Sequence, residues 1–402
     1  MIAKTGKIRV LACAALLPAL MAFLSGCWDE HELNELFFVT GIALDAASDP
    51  DKIDIALEIE QLQSDKSNGS SSTQTTSSQG SDAILLKAER ETVEEGIGEI
   101  DINSTRRIFI HHNQVLLVGI ELAEQGLENN LDLFTRNTEA RADVPLLIVD
   151  GRADKLLSID VEQETIAGVY VARVSDRQST ISEYYKVRIL DFISKYIDGT
   201  TAPVIPVIKL VNKNNKDEIE FSGMAVFIGG KMIGRLSDDE TLGYIWAMGG
   251  VSGSVVTARS DSMTASLYIT SLNVNREITV RQDGGVSVKL AVNASLEIKE
   301  LIEFDAIPVK ELIPILTDMV QKAIADRIIN TFEAVREMDA DIYGYGVDIH
   351  RKYPNEWDSG NMKERWPELF SDIDFKVSVK AAIPTTGKAI QSMEMEEYNG
   401  EN

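Results

Sequence analysis

The sequence is poor in the residues that build disulfide scaffolds, metal clusters and imidazole chemistry. Its 402 residues include two cysteines, Cys13 and Cys27, and four histidines. Removal of a leader containing Cys13 would leave one cysteine, which excludes an internal disulfide and a cysteine-based metal cluster. Core packing must then hold the folded part together, and an apolar fraction of 44% is enough for two or more domains.

Positive charge is also scarce. The chain has 39 Lys and Arg residues against 64 Asp and Glu residues, which gives a formal net charge of −25. An acidic surface repels phosphate backbones and anionic lipid head groups. We therefore expect no nucleic-acid partner, and any attachment to a membrane must come from a covalent lipid rather than from a basic patch.

Catalytic motifs are missing as well. The sequence has no Gly-x-Ser-x-Gly, no phosphate-binding glycine loop and no His-Glu-x-x-His. The adjacent His111 and His112 precede a predicted strand, where neighbouring side chains point to opposite faces. A hydrogen-bonding role at the strand edge is therefore favoured over joint metal binding or catalysis. The sequence predicts a protein that is not an enzyme and has no metal or cofactor.

Residues 1–26 are typical of a secretion signal. A basic segment ends at Arg9, and residues 10–24 form an apolar run. At about 15 residues, the run is shorter than the roughly 20 that a membrane-spanning helix needs, and Pro18 interrupts it. A cleaved signal peptide therefore fits this segment better than a permanent transmembrane helix.

The signal ends in Leu24-Ser25-Gly26-Cys27, which resembles a bacterial lipobox. The small Ser25 and Gly26 give a peptidase access to the backbone, and the Cys27 thiol can carry a diacylglyceryl group. An N-acyl chain such as palmitate would complete the anchor, since one chain binds marginally and several bind stably at about 0.8 kcal/mol per buried methylene. The alternative is ordinary secretory cleavage that leaves Cys27 as a free thiol.

Residues 27–200 are predicted to form a mixed α/β region of one or two subdomains, because strand and helix patterns alternate there. In residues 53–60, isoleucine and leucine alternate with mostly polar residues, which is typical of a half-buried strand. Residues 64–82 are almost entirely Ser, Thr, Gln, Asn and Gly and are predicted to be a disordered loop. The other predicted elements are strands at 39–44, 115–119 and 144–149 and helices at 91–99 and 121–135.

A linker is predicted over residues 201–217. Pro203, Pro206 and the polar run 212–217 together mark a change of composition. With a separate domain on each side of this linker, the predicted fold class is α+β and multidomain.

Residues 218–388 are predicted to form an α+β domain, in which an antiparallel sheet packs against one long helix. Gly229-Gly230 and Asp283-Gly284 are hairpin signals, and the segment from Ser237 is a helix-capping box. The predicted elements are strands at 224–228, 231–236, 278–281, 286–292 and 375–383, a helix that ends at 249–250, a long amphipathic helix that stops near Gly344, and a tail at 389–402.

Several aromatic residues gather between Tyr353 and Trp366, around Pro354. The first interpretation is local core beneath a long loop, which we favour. The second is an exposed aromatic patch that binds a partner, and it makes Trp357 a candidate contact.

Four segments resemble the Ger(x)C family, the C-subunit lipoproteins of spore germinant receptors. Each alone is modest, but they follow a lipobox in order and extend from Cys27 to about residue 388. Two departures are Glu30-His31 in place of a basic pair and His111-His112 in place of an aromatic-Gly-His pattern. The segments are Gly26-Cys27-Trp28-Asp29 through Leu36 with Val39–Asp45, His112–Arg136, Gly223–Trp246, and Asp341–Trp357 with its Asp-Ile-Tyr-Gly-Tyr-Gly start.

This resemblance implies an accessory subunit of a receptor in the inner membrane of dormant spores. The subunit would lie at the outer face, anchored by lipid, and act without catalysis beside an integral A subunit and a permease-like B subunit thought to sense the nutrient. Trp28, Asp29 and Leu33 near the anchor join Trp357 as candidate partner contacts.

Two alternatives remain open. A solute-capture lipoprotein would bind a small molecule in a cleft near the boundary at residues 200–217. An exported hydrolase would use His111, His112 and His350. The sequence does not specify which nutrient activates the receptor, which surface of the chain contacts each subunit, or the stoichiometry of the subunits.

Overall fold

The structure of the chain is a computed structural model. It describes residues 35–61, 83–159, 161, 164–181, 184–214, 216–260, 263–304, 307 and 309–385. The predictions for the signal peptide, for Cys27, Trp28, Asp29 and Leu33, for the loop at 64–82 and for the tail at 389–402 fall outside these residues.

The described elements alternate between strands and helices at first and then form long strands. The strands are β1 Leu36–Ala46, β2 Ile53–Glu60, β3 Ala83–Arg90, β4 Arg107–Phe109, β5 Val115–Gly119, β6 Leu146–Val149, β7 Val204–Lys213, β8 Lys216–Ile228, β9 Lys231–Leu236, β10 Val255–Ser260, β11 Met263–Val280, β12 Val286–Ile302 and β13 Asp374–Thr385. The helices are α1 Val93–Ile102, α2 Ile120–Gln125, α3 Glu128–Leu131, α4 Leu133–Arg136, α5 Ala153–Leu156, α6 Ala167–Thr180, α7 Ile189–Asp198, α8 Asp238–Met248, α9 Val309–Glu337, α10 Tyr345–Lys352, α11 Pro354–Ser359 and α12 Trp366–Ser371.

The first sheet has nine strands in the order β3-β2-β1-β5-β6-β7-β8-β9, with β4 paired to β1. The central pairs are parallel, namely β1 with β5, β5 with β6 and β6 with β7. The pairs on either side are antiparallel, namely β3 with β2, β2 with β1, β7 with β8 and β8 with β9. Every residue of β5 and β6 is buried, because each face of the sheet contributes to its own hydrophobic cluster. Continuous apolar runs are typical of such central parallel strands.

Two local predictions in this region were wrong. The strand at 53–60 is buried on both faces rather than half-buried, because α6 covers the side that carries Glu58. The helix predicted over 121–135 is three short helices, α2 to α4. Its first break lies at Gly126, whose φ of 133° is outside the helical region.

Residues 201–217 are not a linker in the structure. Most of them form β7, which pairs in parallel with β6 and antiparallel with β8 inside the first sheet. Pro206 is accommodated because the register shifts between Pro206 and Ile208, and proline is tolerated at such irregularities. The first sheet therefore continues to Leu236, beyond the predicted boundary.

The second sheet has the order β10-β11-β12-β13, and α9 packs on it. Its last strand pairs in parallel with β12, whereas the sequence predicted an antiparallel sheet. The reason is α9, which returns the chain to the end where β12 begins, as in any strand–helix–strand crossover. The helix ends at Glu337, short of the predicted Gly344, because Asp339 has a left-handed φ of 53°.

The predicted turns and cap are confirmed. Gly229 and Gly230 have positive φ between β8 and β9, and Ser237 exchanges hydrogen bonds with Glu240 at the start of α8. Helix α8 contacts strands of both sheets and α9, and one hydrophobic cluster contains side chains from the two sheets. The mixed α and β architecture with two sheets confirms the predicted fold class.

Candidate functional site

The N-terminal end of β1 is where the described chain begins. Leu36, Phe37 and Phe38 pair in parallel with β4, beside a short turn at Ile110–His112. The Phe38 ring meets that of Phe109 edge to face, with ring centroids 5.8 Å apart. Edge-to-face contacts of this kind fix aromatic rings relative to one another. The start of β1 is therefore held in place by its pairing with β4 and by the contact between the Phe38 and Phe109 rings.

Cationic and apolar groups are exposed at this end of the sheet. The Arg106 guanidinium lies 5.2 Å from the centroid of the Phe37 ring, and Arg107 pairs with Glu139 at 2.8 Å. Ile102, at the end of α1, is 84% exposed. We name the surface formed by Phe37, Phe38, Ile102, Arg106, Arg107, Phe109 and His111 the anchor-proximal corner.

The position of this corner limits where a tether can hold the protein. Residue 35 is the first described residue, and an extended chain spans at most about 3.6 Å per residue. The segment between Cys27 and Glu35 therefore reaches no more than about 30 Å. The start of the anchor-proximal corner therefore lies within about 30 Å of Cys27.

The two adjacent histidines lie on the turn at Ile110–His112 and not at a strand edge as predicted. The Nδ1 atom of His111 lies 3.2 Å from the Glu139 carbonyl oxygen, and the His112 ring contacts Phe38 with a centroid distance of 5.9 Å. His350 is on α10, in the C-terminal half. Among the described residues, no group of three or more His, Cys, Asp or Glu side chains is placed to hold a metal ion.

Trp357 lies inside the protein. It is 4% exposed and packs against Trp366 with a centroid distance of 5.6 Å, while His350 stacks on it at 5.4 Å. In this arrangement the indole contributes to the core of the C-terminal region, and a partner approaching this surface would meet His350 first.

One buried acid, Glu58, attaches α6 to the first sheet. Its carboxylate accepts hydrogen bonds from the backbone N–H groups of Ala167 and Gly168, each at 2.8 Å, and from the Thr40 hydroxyl at 2.9 Å. Burial raises the pKa of Glu58 to about 7, against the lowering effect of these hydrogen bonds. All of these partners are groups of α6 and β1, so the role of Glu58 is structural: it holds the start of α6 against the first sheet.

A second buried acid, Asp341, organises the turn between α9 and α10. Its Oδ1 accepts from the N–H groups of Tyr343 and Gly344, at 3.1 and 2.9 Å. Its Oδ2 accepts from the N–H of Gly346 at 2.9 Å and from the Trp366 indole at 3.2 Å. Burial raises the pKa of Asp341 to about 6, although hydrogen bonds from backbone N–H groups of this turn and from the Trp366 indole lower it. The carboxylate is therefore fully hydrogen-bonded.

Asp341 lies at a crevice where the two halves of the chain meet. The backbone N–H of Ala202 donates to the Asp341 carbonyl at 2.8 Å, which joins the start of β7 to this turn. Beside that bond is a cavity of about 320 Å³. It lies between the loop after α7, the end of β8, the turn after α9 and the segment before α12. We name it the junction cavity.

Lys195 lines the junction cavity from the last turn of α7. Its side chain is partly buried, and burial lowers the pKa of its ammonium group. Sequence reasoning singled out neither Lys195 nor the role of Asp341. The glycines at 344 and 346 were the available signal for Asp341, because they let several backbone N–H groups converge on one carboxylate. For Lys195 the sequence carries no comparable signal.

Among the helices that the structure describes, none is long and apolar enough to cross a membrane.

Comparison with known proteins covers most of the chain. Residues 29–210 match the family described as "Spore germination protein N-terminal domain", and residues 222–387 match "Spore germination B3/GerAC like, C-terminal". The chain is 22% identical to Spore germination protein KC of Bacillus subtilis (strain 168), over 94% of this chain and 97% of that protein. It is 24% identical to Spore germination protein A3 of the same organism, over 93% and 96%.

Among solved structures, the chain is similar to the crystal structure of the GerBC protein. The TM-score is 0.56 at 18% identity, and the similarity covers 86% of this chain and 97% of that one. At this identity the match shows a shared fold.

Proposed function

The chain belongs to the Spore germination B3/GerAC-like family, and on that premise we propose that it is the lipid-anchored C subunit of a nutrient germinant receptor. A role in spore germination follows from the family. The finer proposal is that Cys27 carries the lipid, that the folded body lies at the outer face of the inner spore membrane, and that it contacts integral A and B subunits there.

The observation that carries the proposal is the order of features along the chain. A lipobox-like segment ends at Cys27, and the two family matches follow from residue 29 to residue 387. The curated relatives are matched over 93% or more of their own length. The match thus spans almost the full length of those germination proteins, and in this chain it lies directly behind the proposed anchor.

A short tether gives a physical mechanism for assembly. With no more than about 30 Å between Cys27 and the start of β1, the folded body stays next to the bilayer. Confinement of this kind raises the effective concentration of neighbouring proteins, so weak contacts suffice for a stable complex. The net charge of −25 disfavours binding to anionic lipid, which leaves the acyl chains as the attachment.

The tether also orients the protein. The anchor-proximal corner is the part of the described structure nearest to Cys27 along the chain, and it combines Ile102 and Phe37 with the Arg106 guanidinium. This corner faces the membrane or the membrane-embedded subunits. The hydrolase alternative is less well supported, since the histidines that it would use lie on separate elements of the two halves.

Replacing Cys27 with alanine tests the proposal in spores. The variant should leave the membrane fraction and slow the germination response to nutrients, because the acyl chains are lost. Cys13→Ala is a matched control, since that residue lies in the signal peptide and the lipidated product should be unchanged. If Cys27→Ala spores keep the protein in the membrane fraction and germinate normally, the proposal is wrong.

Affinity purification of the tagged subunit from detergent-solubilised spore membranes tests the partner assignment. We expect membrane-embedded A-type and B-type subunits to co-purify with the wild-type protein and to be lost with Cys27→Ala. Recovery of the subunit alone from gently solubilised wild-type membranes would contradict the assignment.

A further inference from the structure

The junction cavity has the position and size of a ligand site. Its volume of about 320 Å³ is at the lower end of the range for small-molecule pockets. Its wall combines backbone and side chains from both halves of the chain, including Phe227 of β8 and Trp366 of α12. Both of these aromatic side chains are buried behind the wall, and the exposed apolar side chains of Ile228 and Pro367 also line the cavity.

The Lys195 ammonium group in this wall makes no ion pair or hydrogen bond within the described structure; burial lowers its pKa more strongly than the charges of Asp191 and Asp341 raise it from a distance. The acids nearest to it in sequence are engaged elsewhere. Asp191 binds Arg188, with oxygen–nitrogen distances of 2.8 and 2.9 Å. Asp198 accepts from the hydroxyls of Thr200 and Thr201, at 2.8 and 3.0 Å. A partly buried ammonium without a partner is costly, and an anion in the cavity would remove that cost.

The acid behind the cavity does not serve as a binding group for a ligand cation. Four N–H donors occupy the two oxygens of Asp341, as described above, so it has no free position for another donor. Two further carboxylates, Asp339 and Glu364, line the opening beside Lys363. Asp339 accepts a hydrogen bond from the Ser371 hydroxyl, and Glu364 and Lys363 are exposed to water, which screens their charges.

We propose that the junction cavity binds a small organic carboxylate, with the ligand's carboxylate paired to the Lys195 ammonium and its apolar part against Ile228 and Pro367. A charge-assisted hydrogen bond to a group that is partly withdrawn from water is among the stronger polar contacts in proteins. The cavity admits a ligand of few heavy atoms. This inference does not depend on the receptor role, because the binding can be measured on the isolated protein.

Thermal unfolding of the mature lipoprotein in detergent tests the proposal, with sodium butyrate as the probe. Butyrate should raise the melting temperature in a saturable manner, because a ligand that binds the folded state stabilises it. Butyramide and sodium chloride at matched ionic strength should not, since neither presents a carboxylate. Absence of a butyrate-specific shift at any concentration up to the highest matched with chloride overturns the proposal.

Substitutions at Lys195 locate the binding. Lys195→Gln should weaken the apparent affinity for butyrate by about tenfold or more, the equivalent of one charge-assisted hydrogen bond. Lys195→Arg keeps the charge and should retain the response, which separates loss of charge from loss of folding. Lys322→Gln removes an exposed lysine of α9 away from the cavity and is the matched control. An unchanged butyrate response in Lys195→Gln places the binding elsewhere and overturns the proposal.

Discussion

Replacing Glu58 with glutamine should remove a specific pH dependence from the stability of the protein. Glu58 is 1% exposed, and burial raises its pKa from the ordinary 4.5 to about 7. A difference of that size corresponds to roughly 3 kcal/mol between the two protonation states. Because the folded pKa is higher than the unfolded one, the folded protein binds the proton more tightly. The contribution of Glu58 is therefore fully present below about pH 4.5 and is lost as the pH rises through 7.

The assay is urea unfolding of the mature chain, with Cys27→Ser to avoid lipid, at a series of pH values between 4 and 8. Other buried acids also titrate in this range, including Asp341, so the informative quantity is the difference between the unfolding free energies of Glu58→Gln and the parent. That difference should shift in favour of the variant by about 3 kcal/mol as the pH rises through this window. If the difference between the two unfolding free energies stays constant from pH 4 to pH 8, or shifts in favour of the parent, the assignment of this pH dependence to Glu58 is wrong.

Three further substitutions test the turn at Asp341, the close packing of β8 and, as a control, an open position in α1. Asp341→Ala leaves four buried donors without their acceptor, so the unfolding free energy should fall by at least about 3 kcal/mol in chemical denaturation. Gly223→Ala should destabilise by about 2 kcal/mol or more, because its φ is 73° and a Cβ would collide with the Leu236 carbonyl oxygen. Gly98→Ala is the matched control: that glycine lies in α1 with open space around it, so alanine should stabilise by about 0.5–1 kcal/mol. Equal effects of the two glycine substitutions in thermal unfolding would contradict the close approach of Gly223 to the Leu236 carbonyl oxygen.

The local elements of the fold were predictable where chemistry within a few residues determines them. Gly229-Gly230 forms its hairpin because positive φ at both positions is easy for glycine alone, and Ser237 caps α8 through a partner three residues away. The predictions were wrong where packing against an element far away in the sequence determines which residues are buried. The alternation of residues 53–60 predicted an exposed face, but α6, more than 100 residues later in the chain, covers Glu58.

The boundary between the halves and the candidate site were less predictable for the same reason. Pro203 and Pro206 suggested a linker, and only the bulge opposite Met224 explains how β7 accepts a proline inside a sheet. Lys195 becomes notable when the turn around Asp341, about 150 residues away in sequence, closes a cavity beside it. Sequence periodicity reports which side of an element is apolar, but it does not report which distant element covers it.

The central claim is that lipid on Cys27 holds the folded body at the membrane. Mass spectrometry of the amino-terminal peptide, prepared from the protein purified out of spore membranes, tests it most directly. We predict a mature chain that begins at Cys27 and carries a thioether-linked diacylglyceryl group with an acylated amino group. A peptide with an unmodified Cys27, or one that still includes the leader, would contradict the account.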